Sequence, residues 1–180
     1  MPPPIAIVFW FAGMSGSGKS TVAHETFRHL HAAGLKTLIL DGDAVRTTYH
    51  RHLGFSAADI RENLRLIAER CLAARGEYDV ILVPVISPLA DARAAARAHL
   101  GDGFRLVYIR ASIAALEDRD PKGLYARARK GEMPDLIGYG RAAVPFEEPA
   151  DADLILDTTA TAEADTVAAM LAFVRETVGR

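Results

Sequence analysis

The fold is decided by a stretch near the start of the sequence, Gly13-Met14-Ser15-Gly16-Ser17-Gly18-Lys19-Ser20. It matches the pattern G-x-x-x-x-G-K-[ST] and lies between an apolar run of strand length, 5–11, and a segment of helical period, 19–33. The glycines let backbone N–H groups approach phosphate oxygens, and the N-terminus of the following helix adds partial positive charge. The stretch therefore predicts a loop that binds the phosphates of a nucleotide.

Two side chains of this phosphate-binding loop (residues 13–20) add chemistry to the backbone cradle. Lys19 is expected to reach the β- and γ-phosphates, and the Ser20 hydroxyl is expected to ligate Mg²⁺. The sequence therefore predicts ATP and Mg²⁺ as cofactors. The residues predicted to bind ATP around the loop are Gly13, Ser15, Gly16, Ser17, Gly18, Lys19, Ser20 and Thr21.

Outward from the loop, apolar runs of strand length alternate with longer segments of helical period. The strand candidates are 5–11, 37–40, 80–86, 104–109 and 154–156. The helix candidates are 19–33, 57–75, 89–100, 113–118 and 162–178. Because the strands are apolar throughout and each is followed by a helix, we expect one α/β domain, residues 1–180, with a parallel sheet covered on both faces.

One segment, 120–149, does not join this alternation. It is polar and rich in Gly, Pro and Arg, and its only helix candidate is 124–130. Compact domains rarely carry so long an irregular segment unless it moves or covers a site. We therefore expect it to act as a lid.

Composition and charge exclude several classes of protein. A net charge of -2 and a pI near 6.3 give no basic excess, so a nucleic-acid partner is not expected. The apolar run near the N-terminus is too short for a membrane span and has no basic residues before it, so we expect neither a signal peptide nor a membrane anchor. The default prediction is a cytoplasmic enzyme, in which the single cysteine, Cys71, is buried or half-buried.

The reaction is suggested by acids that follow the second strand. The sequence has no N-K-x-D for reading guanine, and the third strand runs into 85–88 without the acid that motor ATPases place there. Asp41 and Asp43 fall where the second strand ends, at the edge of the sheet where ligands bind. A carboxylate there orients Mg²⁺ or accepts a proton from an attacking hydroxyl. The alternative is a turn with a helix cap.

Further blocks of sequence resemble the adenylylsulfate kinases. They are the loop 13–20, 41–46, 53–56 with Asp59 and 62–63, 86–88, 119–125, 128–132, 145–147, Pro149 and 154–158. They occur in the family's order and cover nearly the whole chain. The resemblance implies transfer of the γ-phosphate of ATP to the 3′-hydroxyl of adenosine 5′-phosphosulfate (APS). It also implies a P-loop NTPase-like three-layer sandwich with five parallel strands in the order 2-3-1-4-5, a need for Mg²⁺, and a homodimer.

The resemblance also implies catalytic roles. Asp43 would lie nearest the accepting hydroxyl, while Asp41 and Ser20 would hold Mg²⁺. Lys122, carried on the lid, would join Lys19 in neutralising charge on the transferring phosphate. Ser87 corresponds to a position described in the family as a phosphoserine intermediate, although direct in-line transfer is the simpler alternative.

Binding roles follow in the same way. Phe55 would stack on the base of the acceptor, and Arg46 and Asn63 would hold its phosphosulfate or ribose. Arg119 and Arg129 would line the ATP side of the lid. The residues predicted to bind the acceptor are Asp41, Arg46, Phe55, Asn63, Ile86, Ser87, Lys122 and Leu136.

The chain departs from the family pattern on the acceptor side. Where the family has D-R-x-E-N, Ile60 replaces the arginine that grips the substrate anion, and Arg61 points about 100° away on a helix. Where the family has F-T-G-I-D, Leu136 replaces the phenylalanine, although Tyr139 is an alternative stacking partner. The link 141–144 is also longer than in the family.

These departures leave the acceptor open. A lost anion contact and a lost stacking face each cost on the order of 1–3 kcal/mol of binding. The leading hypothesis is an adenylylsulfate kinase, and the second is a kinase of a related nucleotide such as cytidine diphosphoramidate. The third is a nucleotide-binding switch or inactive scaffold, which the presence of the predicted catalytic residues disfavours.

Overall fold

The computed structural model describes residues 5–179. Residues 1–4, on which the prediction about a signal peptide partly rests, lie outside this range, as does residue 180. The strands are β1 Ile7–Ala12, β2 Thr37–Ile39, β3 Val80–Val83, β4 Phe104–Arg110 and β5 Leu154–Asp157. All pairings are parallel, and the order β2-β3-β1-β4-β5 confirms the predicted sheet.

Helices follow the strands as the alternation predicts. They are α1 Lys19–Ala32, α2 Gly42–Thr48, α3 Ala57–Ala74, α4 Ala90–Leu100, α5 Ile113–Arg119, α6 Leu124–Arg129 and α7 Glu163–Val178. A short 3₁₀ turn, Gly101–Gly103, precedes β4. Within residues 5–179, none of these helices combines the length and apolar character that a membrane crossing requires.

The core forms two layers, one on each face of the sheet. In the central strand β1, Val8 and Trp10 belong to the cluster that includes α3 and α4. Their neighbours Phe9 and Phe11 belong to the cluster that includes α1 and α7. All four side chains are 0% exposed, because a strand's alternate residues point to opposite faces and both faces are covered here. This is the predicted three-layer sandwich.

Strand β3 ends earlier than predicted, at Val83 rather than at residue 86. Pro84 follows it and has no N–H to continue the ladder. The Pro84 carbonyl instead accepts a hydrogen bond from Gly42 N at 3.1 Å, and Ile86 O accepts one from Gly13 N at 3.1 Å. Residues 84–88 therefore form a loop beside the phosphate-binding loop. Strand β1 also differs, since it begins at Ile7 instead of residue 5.

Helix α2 was missed by the sequence analysis. Its N-cap is Asp41, whose side chain accepts hydrogen bonds from Asp43 N and Ala44 N. The Gly and two Asp at its start resemble a turn, and only seven residues are helical, too few for a clear period. The cap alternative for Asp41 is therefore realised.

Segment 120–149 contains only the short helix α6. Its Tyr125 is 1% exposed and packs against Leu116 and Leu136. Its far end is held by Glu147, whose N–H donates to Pro88 O at 2.8 Å. The segment is thus attached to the body of the protein near both ends.

Candidate active site

The phosphate-binding loop joins β1 to α1 in a conformation that depends on glycine. Gly18, the N-cap of α1, has φ +100°, which side chains rarely tolerate. A Cβ at Gly13 would come within 2.5 Å of Ile109 O on the neighbouring strand β4. The loop is supported from segment 120–149, because Tyr125 Oη donates to Ser15 O at 2.6 Å. These contacts hold the start of α1 open toward solvent at the carboxyl edge of the sheet.

Lys19 lies in the loop with its ammonium group turned back onto the backbone. Its Nζ donates to Met14 O at 2.7 Å, and the residue is 7% exposed. Burial lowers the pKa of Lys19 to about 7; Asp43 opposes this shift, and Lys122 adds to it. Burial destabilises the charged form of Lys19, and an anion that enters the loop would stabilise that form by pairing with it.

The acids predicted from the sequence lie beside this loop. Ser20 Oγ donates to Asp41 Oδ2 at 2.8 Å. Lys122 Nζ, from segment 120–149, donates to Asp43 Oδ2 at 2.6 Å across 79 positions of sequence. The structure therefore brings both carboxylates, the loop serine and the distant lysine to one place.

Within residues 5–179, no three His, Cys, Asp or Glu side chains gather to hold a metal ion without help. Ser20 and Asp41 nevertheless offer oxygen ligands at the loop. Mg²⁺ in kinases is bound by one or two protein oxygens together with nucleotide phosphates and water. The pair fits such an ion.

One cavity runs from the phosphate-binding loop to the residues predicted to bind the acceptor. Most residues predicted from the sequence line it. They are Ser15, Gly16, Gly18, Lys19, Ser20, Thr21, Asp41, Asp43, Arg46, Phe55, Asn63, Ile86, Ser87 and Lys122. Five predicted residues lie outside this lining. They are Gly13, Ser17, Arg119, Arg129 and Leu136.

Arg119 and Arg129 are engaged elsewhere. Arg119 donates to the carbonyl oxygens of Thr158 and Thr159, and Thr158 Oγ1 in turn donates to Ser17 O at 2.9 Å. Arg129 pairs with Glu117 at 3.3 Å. The predicted arginines therefore brace the back of the phosphate-binding loop and helix α5, and neither enters the cavity.

Leu136 does not reach the cavity. It is 7% exposed and packs with Leu116 and Tyr125, while the next residue, Ile137, lines the cavity in its place. The alternative stacking residue, Tyr139, lies edge-on to Tyr125 with ring centroids 5.0 Å apart. Neither Leu136 nor Tyr139 faces Phe55 across the cavity. A base stacked on Phe55 would therefore not be covered on its other side by an aromatic ring from either residue.

Phe55 and Arg46 are linked on the acceptor side. The Arg46 guanidinium lies 4.5 Å from the centroid of the Phe55 ring. Its NH1 also donates to Leu53 O at 3.0 Å and Gly54 O at 2.7 Å. Arg46 thus holds the loop that carries Phe55, whose side chain remains 60% exposed.

Ser87 has a strained and enclosed position. Its φ is +48°, and its side chain is 1% exposed. Its Oγ accepts a hydrogen bond from Trp10 Nε1 at 3.0 Å, and its carbonyl accepts one from the buried Arg93 at 2.7 Å. Arg93 also donates to Glu147 O, so it joins residues 84–88 to the end of segment 120–149. Trp10 and Arg93 carried no sequence signal for this role.

The α3 wall of the cavity contains two residues of contrasting character. Ile60 is 3% exposed and presents an apolar surface, whereas Asn63, one turn later, is polar and 6% exposed. Arg61 points away from them and pairs with Asp91 at 2.9 Å, as its helical position predicts. His50, another residue that sequence reasoning missed, lies 2.8 Å from Asn63 through its Nδ1.

A family model described as adenylylsulphate kinase matches residues 5–157. The chain belongs to the adenylylsulphate kinase family. Members of this family are ATP-dependent kinases, which confirms the predicted enzyme class. The adenylyl-sulfate kinase of Bacillus licheniformis is 41% identical over 154 residues, covering 85% of this chain and 77% of that protein. The adenylyl-sulfate kinase of Geotalea uraniireducens is 41% identical over 169 residues, covering 93% of this chain and 80% of that protein.

Solved structures of other kinases share the fold of this adenylylsulphate kinase family member. The Mycobacterium tuberculosis APS kinase CysC in complex with AMPPNP and APS matches with a TM-score of 0.89 at 37% identity, covering 96% of this chain and 99% of that chain. The shikimate kinase from Acinetobacter baumannii matches with a TM-score of 0.57 at 17% identity, which shows a shared fold alone.

Proposed function

We propose that this adenylylsulphate kinase family member transfers the γ-phosphate of ATP to the 3′-hydroxyl of APS. The observation that carries the proposal is the meeting of Lys19, Asp43 and Lys122 in one cavity. Phosphoryl transfer depends mainly on positioning and charge stabilisation, and these three side chains supply both at the mouth of the phosphate-binding loop. The APS complex of the M. tuberculosis relative supports the choice of acceptor.

The chemistry assigned to the chain's own residues is an in-line displacement. The hydroxyl oxygen attacks the γ-phosphorus, the bond to the bridging oxygen of ADP breaks, and Asp43 accepts the hydroxyl proton. Lys19 and Lys122 offset the negative charge on the phosphoryl oxygens. In this scheme Lys122 leaves Asp43 when ATP enters, since the phosphate is the stronger partner.

We assign Mg²⁺ to Ser20 and Asp41, whose oxygens lie 2.8 Å apart beside the loop. These two oxygens would hold an ion that offsets the negative charge of the nucleotide phosphates. Asp41 also caps α2, so binding the metal and shaping that helix depend on one carboxylate.

Direct transfer is favoured over a phosphoserine at Ser87. The Ser87 hydroxyl is 1% exposed and occupied by Trp10, and no carboxylate hydrogen-bonds to it within residues 5–179. The Ser87 hydroxyl supports the loop 84–88 through its hydrogen bond with Trp10, which is a structural role for this serine.

Segment 120–149 is the proposed lid. It supplies Lys122 to the cavity and is fixed at its far end by Glu147. Closure over ATP would therefore move the part near Lys122 more than the part near Glu147. A homodimer stays a prediction from the family resemblance, and a cytoplasmic location stays the default prediction from the sequence.

The acceptor is tested by incubating the purified protein with labelled ATP and a panel of nucleotides. We expect APS to be phosphorylated with the highest kcat/KM. No turnover of APS, with turnover of another nucleotide on the panel, would reject the proposal.

A second acceptor class is favoured by one observation. Ile60 makes an apolar wall where the family pattern has an arginine, and Arg46 is committed to Leu53 O, Gly54 O and the Phe55 ring. The loss of the arginine with which the family grips the substrate anion favours an acceptor other than APS. Cytidine diphosphoramidate is the example to include in the panel, with preferred turnover of it as the deciding result.

Replacing Phe55 by alanine tests the proposed stacking. We expect the acceptor KM to rise about tenfold or more, because stacking on an aromatic ring contributes roughly 1–3 kcal/mol per base. The KM for ATP should not change, and steady-state kinetics measure both. Tyr49→Ala is the matched control, since Tyr49 is 55% exposed and stacks on Arg70 outside the cavity. Equal effects of the two substitutions would contradict the assignment.

A further inference from the structure

The pair His50 and Asn63 lies just behind the acceptor side of the cavity. His50 follows helix α2 and is 3% exposed, and Asn63 lies on α3 and is 6% exposed. His50 Nδ1 is 2.8 Å from Asn63 Oδ1. Asn63 lines the cavity, whereas His50 does not. The pair therefore connects an enclosed ring to a side chain that faces the acceptor.

The chemistry of the two atoms fixes the direction of the hydrogen bond. An amide oxygen only accepts, so His50 Nδ1 must carry a hydrogen. This holds for the neutral Nδ1–H tautomer and for the imidazolium alike. The Asn63 amide is therefore held in one of its two orientations.

The other end of the Asn63 amide is then committed as a donor. Among residues 5–179, no hydrogen-bond partner engages Asn63 Nδ2, and this atom is not enclosed. With the oxygen held by His50, the NH₂ group is the end left for the cavity. This NH₂ group lies one helical turn beyond Ile60, and Ile60 forms the apolar part of the same wall.

We propose that His50 is a positioning residue, which orients Asn63 so that its NH₂ donates to an oxygen of the acceptor. The proposal rests on the proposed function, because it concerns the acceptor side of the same site. Without His50 the amide would rotate, and its oxygen would face the acceptor oxygen for part of the time. Ile60 offers no polar group on this wall, so the Asn63 NH₂ group contributes more to acceptor binding than Ile60 does.

Kinetics of three variants test the proposal. We expect His50→Leu to raise the acceptor KM about tenfold, the size of one net hydrogen bond, with kcat and the ATP KM changed less than about twofold. His50→Asn should recover most of that loss, because its side-chain amide nitrogen lies near the place of Nδ1. His52→Leu is the matched control, since His52 is exposed and outside the cavity. A loss in His50→Leu spread equally over kcat and both KM values would overturn the proposal.

The double variant separates orientation from packing. If His50 acts through Asn63, His50→Leu should add little to the acceptor KM of Asn63→Ala. Additive effects would show that His50 acts independently, which contradicts the proposal.

A measurement without any acceptor tests the His50–Asn63 arrangement independently of the proposed function. Nitrogen-15 spectra of the histidine rings at about pH 9, well above the ordinary histidine pKa of about 6.5, should show a hydrogen on His50 Nδ1. The signal is assigned by its loss in His50→Asn. A hydrogen on Nε2 instead would overturn the proposal even if APS is the acceptor. An Nδ1 hydrogen with no turnover of APS would sustain the arrangement while rejecting that acceptor.

Discussion

Replacing Lys19 by alanine will reduce phosphoryl transfer by about 10³-fold or more. Lys19 is the cation nearest the base of the phosphate-binding loop, where its ammonium now donates to Met14 O at 2.7 Å. Catalysis of phosphoryl transfer consists mostly of positioning and electrostatic stabilisation, so a missing cation affects the transition state directly. The measurement is the rate of labelled phosphate transfer from ATP. Lys36→Ala is the control, because Lys36 is exposed at the opposite edge of the sheet.

Proton uptake gives a second measurement for Lys19. Burial lowers the pKa of Lys19 to about 7 in the free protein. Bound phosphates favour the ammonium form and raise this pKa, so above pH 7 ATP binding takes up a proton and weakens as pH rises. Calorimetry in buffers of different ionisation enthalpy detects the uptake. The same uptake in Lys19→Ala, or near-normal transfer by that variant, would mean that the site is misassigned.

Asp43→Asn is expected to lower kcat by about 10²–10⁴-fold, the usual contribution of a general base. The amide keeps the shape of the carboxylate but cannot accept the hydroxyl proton. The ATP KM should change little under the proposed roles, because Asp43 is assigned to the acceptor hydroxyl and its hydrogen-bond partner in the structure is Lys122. Stability should change little too, since the exposed pair with Lys122 contributes about 1 kcal/mol or less.

Steady-state kinetics with ATP varied at saturating acceptor measure the effect of Asp43→Asn. Asp102→Asn serves as its control, because Asp102 is exposed in the turn before β4, away from the cavity. An equal loss of turnover and of ATP affinity in Asp43→Asn would point to metal binding in place of proton transfer.

The sheet was predictable because its signals are local. Apolar runs predicted the positions of the strands. The family resemblance, which includes the glycine-rich loop after β1, predicted their order in the sheet. The errors have local causes as well. Pro84 ended β3 early by removing a donor, and helix α2 was hidden by a start that reads as a turn.

The candidate site was predictable where function resides in contiguous residues. The loop 13–20 has a recognisable spacing, and the acids Asp41 and Asp43 follow shortly after strand β2, so both could be proposed from the sequence. The partners of Asn63 and Ser87 could not, because His50 and Trp10 are 13 and 77 positions away and are brought near only by the fold. Leu136 was misplaced by one residue, since an irregular segment has no period to show which side chain faces inward.

The hydrogen bonds of Arg46 to Leu53 O and Gly54 O have a consequence for the length of the acceptor. Arg46 lies on helix α2 three residues after Asp43, a rise of about 4.5 Å, and is tied to the loop that presents Phe55. The loop that carries the ring is therefore hydrogen-bonded to the helix that carries the carboxylate, and this link sets the distance between them. Under the proposed roles, a molecule whose base and reactive hydroxyl are spaced differently cannot satisfy both at once, whatever its charge.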